Sequence, residues 1–520
     1  MWGFPIRCGV SSGLSPLDGV ILVAYLAGLV AMSYRFARRQ TSGEDYFLAG
    51  RSMSRVPLAL SIVANQASAV SLVGAPAFVA LHEGGGLRWL QYELALPLAM
   101  LAVIAVLLPA LRSAPGSSIY GYAERRFGPG ARRALAAAFL LSRGLSVGVI
   151  LYASALVVAE ALGWSVDGTI LLIGLFSVLY TSLGGIVADI WSDVIQLLLL
   201  WAGVVAGGVY ILVRHGWTVL DAVPPERAHA LVTGSWGLGD GATFALWPML
   251  VGGFFLYLSY YGCDQSQAQR LLTARDETAA RQALVLNGLL RFPLVLTYCG
   301  FGLLLAGLLR VDPAFATLME TRPPDSLVAV FIIGYVPVGL RGLLVAAILA
   351  AAMSSIDSAM NSLAAVTLED VFDRPASRQG IWLPRLTSLG WGGFAVGSGL
   401  AFARSQSGVL ELINQIGSAF YGPVLAVFVL GVAAPGVGGR SALAGMAAGL
   451  AGNVALARLA PGVSWLWWNP AGFLVAALTG LALSWARPFV TRAAWPRREG
   501  AILLAAFAVM LLVLTLLPAN

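Results

Sequence analysis

The chain has 520 residues, of which 58% are hydrophobic and 11% are charged, and its mean hydropathy is +0.82. This composition argues against a soluble protein, because long apolar runs are typical of membrane-spanning helices. All 32 basic residues are arginine, and they lie mostly in short loops between apolar runs, so the net charge of +7 does not indicate nucleic acid binding. Three cysteines and three histidines without metal-ligand spacing argue against a disulfide framework and a histidine-based metal centre.

Hydropathy predicts an all-α integral membrane protein with about fourteen spanning helices. The predicted spans are 15–35, 53–81, 88–112, 130–162, 166–184, 186–213, 243–262, 281–309, 326–357, 383–404, 407–434, 440–459, 464–486 and 499–518. Most loop arginines fall on one side of this topology, which predicts that the N-terminus lies outside. The even number of spans then places the C-terminus outside as well.

Two of these spans are predicted to be broken. The second contains the polar sequence ANQAS at 64–68 followed by GAP at 74–76, and the seventh runs into YYGCDQ at 260–265. Interrupted helices at corresponding positions of two halves indicate an inverted-repeat transporter with its binding site near the membrane midplane. The alternative at this point is a pair of kinks in a large helical bundle.

The sixth span begins after Gly184-Gly185 and carries two carboxylates near its start. Asp189 is expected to be solvated at the membrane edge. Asp193 lies one turn deeper and is therefore a better candidate for an ion ligand, because carboxylates at that depth usually have a function.

The ninth span carries the hydroxyl-rich sequence AAAMSSIDSAMNS at 350–362. Hydroxyls and a carboxylate at this depth are costly unless they face a partner, a cavity or an ion. Hard, mostly neutral oxygen ligands suit an alkali cation better than a transition metal. Small polar residues also favour close helix packing, so an ion site and a packing surface both remain open here.

Two arginines are predicted to lie inside spans, Arg143 in the fourth and Arg291 in the eighth. Such a group either neutralises a nearby carboxylate or binds the carboxylate of a substrate through its planar guanidinium. Tyr260 and Tyr261 lie at the break in the seventh span, where they are candidates for a gate, a stacking surface or ordinary packing.

Four segments together resemble the sodium:solute symporter family, which includes carriers of sugars, proline, iodide, vitamins and sialic acid. They are EDYFLAGRSM at 44–53, GGIVADIWSDVIQ at 184–196, DQSQAQRLLTARD at 264–276 and AAAMSSIDSAMNS at 350–362. The resemblance covers about 44–434 and implies the leucine-transporter-type fold of two five-helix inverted repeats. It assigns the repeats to 44–214 and 243–434, with a peripheral helix at 1–43 and three peripheral helices at 435–520.

The resemblance also implies sodium sites. The common site would use backbone carbonyls at the break in the second span and both carbonyl and hydroxyl groups of the ninth: Ala64, Ala67, Ala351, Ser354 and Ser355. A possible second sodium site would use Asp193, Asp357 and Ser358. Because Asp357 stands where the family has a hydroxyl, a proton or an arginine partner is the alternative there.

For the substrate, the resemblance implies a site similar to that of the sialic acid carriers, formed by Ser68, Ser71, Gln91 and Arg143. This favours a carboxylate-bearing, sialic-acid-like solute. The sugar carriers have a lysine where this chain has Arg291, so a neutral solute such as a sugar, or an amino acid or vitamin, is the alternative. Tyr260 would form an inner gate, and further lining residues would be Tyr261, Gln265, Arg291 and Asn414.

The sequence therefore predicts a sodium-coupled symporter that imports a small organic solute by alternating access, not an enzyme. The alternative from another class is a membrane receptor that resembles a symporter but has no net transport. Its expected partners are sodium, the solute and membrane lipid, without nucleic acid, and a monomer should suffice for transport. Its expected location is the cytoplasmic (inner) membrane of a bacterium.

Overall fold

A computed structural model describes residues 14–67, 69–113, 116–404, 409–485 and 495–517. The described chain is helical throughout, with only isolated β-bridges besides helices and turns. The helices of the N-terminal part are α1 Pro16–Ala37, α2 Gly43–Leu48, α3 Arg55–Gln66, α4 Ala69–Leu81, α5 Ala95–Ala102, α6 Leu108–Arg112, α7 Tyr120–Phe127, α8 Pro129–Leu162, α9 Val166–His215, α10 Thr218–Asp221 and α11 Pro225–Ala228.

The C-terminal part continues with a second set of helices. They are α12 Gly253–Cys263, α13 Gln265–Thr273, α14 Glu277–Val311, α15 Pro313–Glu320, α16 Leu327–Tyr335, α17 Leu340–Val366, α18 Trp382–Phe402, α19 Val409–Ala433, α20 Gly439–Leu459, α21 Trp468–Ser484 and α22 Arg497–Leu516. Short 3₁₀ segments are Ala49–Arg51, Gly86–Leu94, Pro324–Ser326, Ala376–Arg378 and Trp465–Trp467, and π segments are Val103–Leu107, Pro248–Gly252 and Thr367–Val371.

Within the described residues, nine helical stretches are long and apolar enough to cross a membrane, and ten if the bent pair α3 and α4 forms one span. This supports an integral membrane protein without fixing the predicted count of fourteen. Part of the difference arises because α9 runs for 50 residues through two predicted spans, 166–184 and 186–213.

The predicted break between these two spans is confirmed at Gly185, whose backbone has φ +56° and ψ −159° inside α9. Glycine adopts such a conformation at little cost, because it has no Cβ. A Cβ at this position would also lie 2.7 Å from the carbonyl oxygen of Tyr46. The close approach of α2 therefore requires glycine here for a second, independent reason.

The bounds of the predicted ninth span, 326–357, are wrong. The structure ends α16 at Tyr335 and starts α17 at Leu340, with Pro337 and the left-handed Gly339 (φ +89°) between them. Proline lacks a backbone N–H and disfavours continuation of a helix, which explains the break. The spanning helix is thus displaced toward the C-terminus, and the hydroxyl-rich sequence lies inside it instead of at its end.

Helix α17 forms the centre of the molecule. It packs along α9 and also contacts α1, α3, α4, α8, α13 and α18. Of the most apolar window of its span, 94% is buried by protein. Helices α19, α20 and α21 pack together at one side, and α22 packs against α5 and α14. Polar side chains on α17 are consequently surrounded by protein on all faces.

Candidate functional site

The helix break predicted at 64–68 is present between α3 and α4. Helix α3 ends at Gln66, and Ala67 has a non-helical backbone with φ −85° and ψ +75°. The two helical segments are bent by 53° relative to each other. Ala64 and Ala67 are both buried, and the Ala67 N–H donates to the Ala64 carbonyl at 2.9 Å. An unwound turn of this kind presents backbone carbonyls that are not consumed by a regular helix.

The α17 residues predicted for the common sodium site are fully enclosed. Ala351, Ser354 and Ser355 are buried on α17, which contacts α3. The Ser354 hydroxyl donates to Asp193, which leaves the lone pairs of its oxygen available. The Ser355 hydroxyl has no hydrogen-bond partner in the structure. Because buried hydroxyls are normally hydrogen-bonded, this oxygen is a candidate cation ligand.

Next to these serines lies a buried cluster of charges centred on Arg270 of α13. Its Nη2 atom lies 3.0 Å from Asp189 Oδ2 and 2.8 Å from Asp193 Oδ2. Its Nε donates to Ser61 at 2.7 Å, and Ser61 in turn donates to Asp193 at 2.6 Å. Ser358 accepts from Arg270 Nη2 and donates to Asp189 at 3.1 Å. The cluster connects α3, α9, α13 and α17.

This cluster corrects two expectations. Asp189 is 0% exposed instead of solvated, and Arg270 is 1% exposed although it belongs to a segment predicted as a loop. Helix α13 folds back into the bundle, and Asp264 caps its N-terminus by accepting from the Ser266 N–H at 2.8 Å. The position of Arg270 within the family-like segment at 264–276 could have indicated that this arginine is buried. Its aspartate partners were not predicted from the sequence.

The net charge of this cluster depends on the protonation of its two carboxyl groups. When Asp189 and Asp193 are both ionised they carry two negative charges, whereas Arg270 carries one positive charge. The excess of one negative charge lies beside Ser354, because that hydroxyl donates to Asp193. In a buried environment such an excess attracts a cation strongly. The arrangement therefore favours a monovalent cation at the neutral oxygens of α3 and α17.

Asp357 makes no hydrogen bond to Asp193 or Ser358. Residues 354, 357 and 358 nevertheless have the i, i+3, i+4 spacing at which side chains lie on one face of a helix. Asp357 is fully buried, and neither of its carboxylate oxygens has a hydrogen-bond partner. The second sodium site at Asp193, Asp357 and Ser358 therefore stays a prediction.

Arg143 of α8 lies beside the broken helix α12. Its guanidinium lies 6.0 Å from the centre of the Tyr260 ring, and its side chain is 7% exposed. Among described residues no carboxylate lies within ion-pair distance of it, and its Nε has no hydrogen-bond partner. Asp264 is the acidic residue whose charge acts most strongly on it. Arg143 is thus a buried cation with an unused donor.

A small cleft lies between α8, α12 and α19, near this arginine in the chain. Its wall combines aromatic rings with a few polar groups. The lining residues are Tyr120, Leu135, Ala138, Phe139, Ser142, Ser259, Cys263, Asp264, Phe420, Tyr421 and Val424. Ser142 of this lining precedes Arg143 in α8, whereas the Arg143 side chain itself is not part of the lining.

Arg291 has a different environment. Its Nε lies 3.4 Å from Glu93 Oε2, and both side chains are buried. The Tyr257 hydroxyl donates to the other Glu93 oxygen at 3.2 Å. Tyr261 donates to Gln66 at the break between α3 and α4. Arg291 is therefore charge-compensated by Glu93, a residue that sequence reasoning missed because nothing in the local pattern paired it with the eighth span.

The hydrogen-bonding groups of Gln91 bind backbone groups around it. Its amide donates to the carbonyls of Arg88 and Phe244 at 3.1 and 3.2 Å and accepts from the Val232 N–H at 2.8 Å. Phe244 precedes the helical stretch that starts at Pro248, and Tyr260 lies about 18 Å further along that stretch at 1.5 Å per residue. That Gln91 and Arg143 hold one solute stays a prediction.

The remaining predicted substrate residues are placed as follows. The Gln265 amide bonds the backbone of Ser117 and Ile119 at 2.6 and 3.0 Å, which indicates a structural role. Ser71 is half-buried on α4. Ser68 lies outside the described residues, and the side chain of Asn414 lies outside the described part of α19.

Within the described chain, no group of three or more His, Cys, Asp and Glu side chains is arranged to hold a metal ion.

Comparison with known proteins gives consistent matches over most of the chain. The model of the sodium:solute symporter family matches residues 46–449. The human sodium-coupled monocarboxylate transporter 1 is 29% identical over 82% of this chain and 70% of its own length. The sodium-dependent multivitamin transporter of Oryctolagus cuniculus is 31% identical over 85% of this chain and 70% of its own length.

A solved structure is similar as well. It is the substrate-bound outward-open state of a Na⁺-coupled sialic acid symporter, which superposes with a TM-score of 0.79. The similarity covers 91% of this chain and all of the other, at 22% sequence identity. At this identity the comparison concerns the fold and not the substrate.

Proposed function

The chain belongs to the sodium:solute symporter family, and from this premise we propose that it imports a small carboxylate-bearing solute together with sodium by alternating access. Sodium is its coupling ion, and its relatives are transporters and not enzymes. The finer parts of the proposal concern the ion site, the solute and the topology, and each rests on separate observations.

The observation that carries the ion site is the buried Ser355 hydroxyl without a hydrogen-bond partner, on the helix that packs against the unwound Ala67. We propose that sodium binds the carbonyls of Ala64, Ala67 and Ala351 and the hydroxyls of Ser354 and Ser355. Neutral oxygens hold a hard monovalent cation without a large desolvation cost. The negative charge left by Asp189, Asp193 and Arg270 would add long-range attraction.

Because this site joins α3 to α17, sodium would link the two halves of the protein. A cation bound between α3 and α17 would favour the state in which the two helices lie against each other. The solute would bind next to the same broken helix. Ion and solute would then stabilise one conformation together, which is the requirement for coupling. In the conformation that faces the other side, α3 would separate from α17 and sodium would leave.

The difference between the two buried arginines supports a carboxylate solute. Arg291 is compensated by Glu93, whereas Arg143 forms no ion pair among the described residues and lies beside the Tyr260 ring. A substrate carboxylate would pair with the Arg143 guanidinium through two parallel hydrogen bonds. The relatives named for monocarboxylates agree with this chemistry, while the similar structure of a sialic acid symporter supports a sialic-acid-like solute.

For the topology, we propose fourteen spans in which 44–214 and 243–434 form two inverted repeats, flanked by 1–43 and 435–520. In this proposal the bend between α3 and α4 corresponds to the end of α12 at Asp264. The arginine distribution supports termini outside the cytoplasmic membrane of a bacterium. A monomer in contact with lipid would carry out transport, without nucleic acid.

Reconstituted proteoliposomes test the function directly. With an inward sodium gradient and a negative interior, uptake of a radiolabelled monocarboxylate or sialic acid should exceed uptake with choline in place of sodium. Saturable uptake of a neutral sugar but not of any carboxylate would replace the proposed solute and retain the symporter. Sodium-dependent binding without accumulation inside the vesicles would favour a receptor.

A further inference from the structure

A strongly basic surface lies where the end of α1 meets the segment that leads to α18. The end of α1 carries the sequence RFARR at 35–39, and its three arginines are exposed. Arg374 and Arg378 are exposed in the segment before α18. The Gly43 N–H donates to the Gln379 carbonyl at 2.9 Å, which joins the two segments. These five arginines form what we call the basic surface.

The guanidinium groups of the basic surface are not engaged by the protein. Among the described residues, none of the five takes part in an ion pair or in a side-chain hydrogen bond: Arg35, Arg38, Arg39, Arg374 and Arg378. Five positive charges therefore lie close together and are available to an external anion.

The acidic residues nearest to the basic surface in the chain have other roles. Asp45 caps the start of α2. Asp373 pairs with Arg132 at 3.4 Å. Glu44 lies 4.0 Å from Arg51. None of these three carboxylates compensates the basic surface through an ion pair.

Other arginines assigned to the same side of the membrane do have partners. Three of them form ion pairs with acidic side chains: Arg133 with Asp373, Arg275 with Asp276 and Arg281 with Glu277. Arg112 and Arg126 donate to backbone carbonyls. The positive-inside rule explains why arginines collect on this side. It does not explain why five of them meet at one place without partners.

Aromatic side chains place the basic surface at the edge of the membrane. Trp382, at the start of α18, is 71% exposed, and Tyr34, in the last turn of α1, is 56% exposed. The guanidinium of Arg385 lies 5.6 Å from the centre of the Trp382 ring, and that of Arg38 lies 5.6 Å from the Tyr34 ring. Exposed tryptophan and tyrosine are typical of the boundary between lipid and water. The arginines therefore lie at the depth of the lipid headgroups.

Arg385 connects the helices beneath the basic surface. Its Nη2 atom lies 3.3 Å from the Leu183 carbonyl oxygen and 3.5 Å from the Ala37 carbonyl oxygen. These carbonyls end the first half of α9 and α1, respectively. An anion held by the basic surface would thus fasten the peripheral helix α1 to the segment before α18.

We propose that the basic surface binds the headgroups of anionic phospholipids in the cytoplasmic leaflet. The planar guanidinium matches phosphate through two parallel hydrogen bonds. Clusters of about four to eight basic residues next to a spanning helix attract anionic lipids. The acyl chains would lie along Trp382 and the exposed Leu386 of α18. The inference rests on the proposed topology, which puts this surface on the cytoplasmic side, and not on the proposed solute.

The test is native mass spectrometry of the purified full-length protein, titrated with phosphatidylglycerol or with phosphatidylcholine. The wild type should bind phosphatidylglycerol at least tenfold more tightly than phosphatidylcholine. The triple variant Arg35→Gln, Arg38→Gln and Arg39→Gln should lose most of this preference. The reason is that each arginine near an anionic surface adds roughly a fivefold factor in affinity.

A matched control variant removes three charges from the same side of the membrane. It combines Arg133→Gln, Arg275→Gln and Arg281→Gln, which replace arginines already paired with carboxylates. This variant should bind phosphatidylglycerol as the wild type does. Arg378→Gln, on a separate segment, keeps the test valid if the first triple variant does not fold. It should weaken the binding of phosphatidylglycerol roughly fivefold.

The proposal fails if the wild type binds both lipids equally, or if the two triple variants lose equal amounts of phosphatidylglycerol binding. It also fails if inorganic phosphate at the same concentration displaces the lipid, because the occupant would then be a soluble anion. The assay does not depend on transport. A protein that prefers phosphatidylglycerol but shows no sodium-driven uptake would therefore refute the proposed function and leave the lipid surface standing.

Discussion

Replacement of Arg270 by alanine should destabilise the protein strongly. The side chain is 1% exposed and makes ion pairs of 3.0 and 2.8 Å with Asp189 and Asp193. It also donates to Ser61 and to the Ser266 carbonyl at 2.7 and 2.6 Å. Removing one partner of a buried ion pair costs about 3–5 kcal/mol, because the other charge stays buried without compensation. Here two carboxylates would lose their cation, so we expect a loss near the upper end of that range.

A matched control is available five residues later. Arg275 pairs with Asp276 at 3.3 Å, but the two side chains are 63% and 51% exposed. Exposed ion pairs contribute about 0–1 kcal/mol. Arg275→Ala should therefore leave the free energy of unfolding within about 1 kcal/mol of the wild type.

The free energy of unfolding can be measured by SDS titration in mixed micelles, followed by tryptophan fluorescence. A triple variant, with Arg270→Met, Asp189→Asn and Asp193→Asn, should recover part of the loss, since replacement of a whole buried charge set is cheaper than removal of one member. If Arg270→Ala and Arg275→Ala are equally stable, Arg270 is not the buried partner of these carboxylates.

Three further predictions concern the substrate region and the α9 break. Arg143→Lys should raise the KM for a carboxylate solute at least tenfold with little change in stability, because an ammonium loses the bidentate geometry; an unchanged KM in an uptake assay would return this residue to a structural role. Glu93→Gln should lower the free energy of unfolding by about 3 kcal/mol by leaving Arg291 uncompensated, whereas equal stability of the variant in SDS titration would contradict the pairing. Gly185→Ala should lower the yield of folded protein in size-exclusion chromatography, because a φ of +56° strains alanine and the Tyr46 carbonyl leaves no room for its Cβ. A wild-type yield would show that the break tolerates a side chain.

The sequence predicted features that depend on local chemistry. Gly185 marks a helix break through its own backbone freedom, and the polar residues at 64–68 mark another where apolar residues would be expected. The hydroxyls of Ser354 and Ser355 stand out against the apolar sequence around them. The ninth span was misplaced because hydropathy averages across Pro337, although proline is a local signal that could have moved the boundary.

What the sequence did not predict are contacts between distant segments. Arg270 looked like a loop arginine, since hydropathy cannot show that α13 folds into the bundle toward Asp189. Glu93 and Arg291 are 198 positions apart (291 − 93) and meet only when α14 packs on the 3₁₀ segment before α5. Tertiary packing, and not local propensity, decides each of these cases.

Sodium bound at Ser355 is proposed to drive solute import. The most direct test measures the sodium dependence of uptake in proteoliposomes for the wild type and for Ser355→Ala. The wild type should take up the solute only with sodium. Ser355→Ala should require at least tenfold more sodium for half-maximal uptake, because a ligand of the ion is lost. Ser362→Ala, a buried serine of the same helix whose hydroxyl is hydrogen-bonded to the backbone, should behave as the wild type does. An unchanged sodium requirement in Ser355→Ala would contradict the account, and sodium-independent uptake by the wild type would refute ion coupling itself.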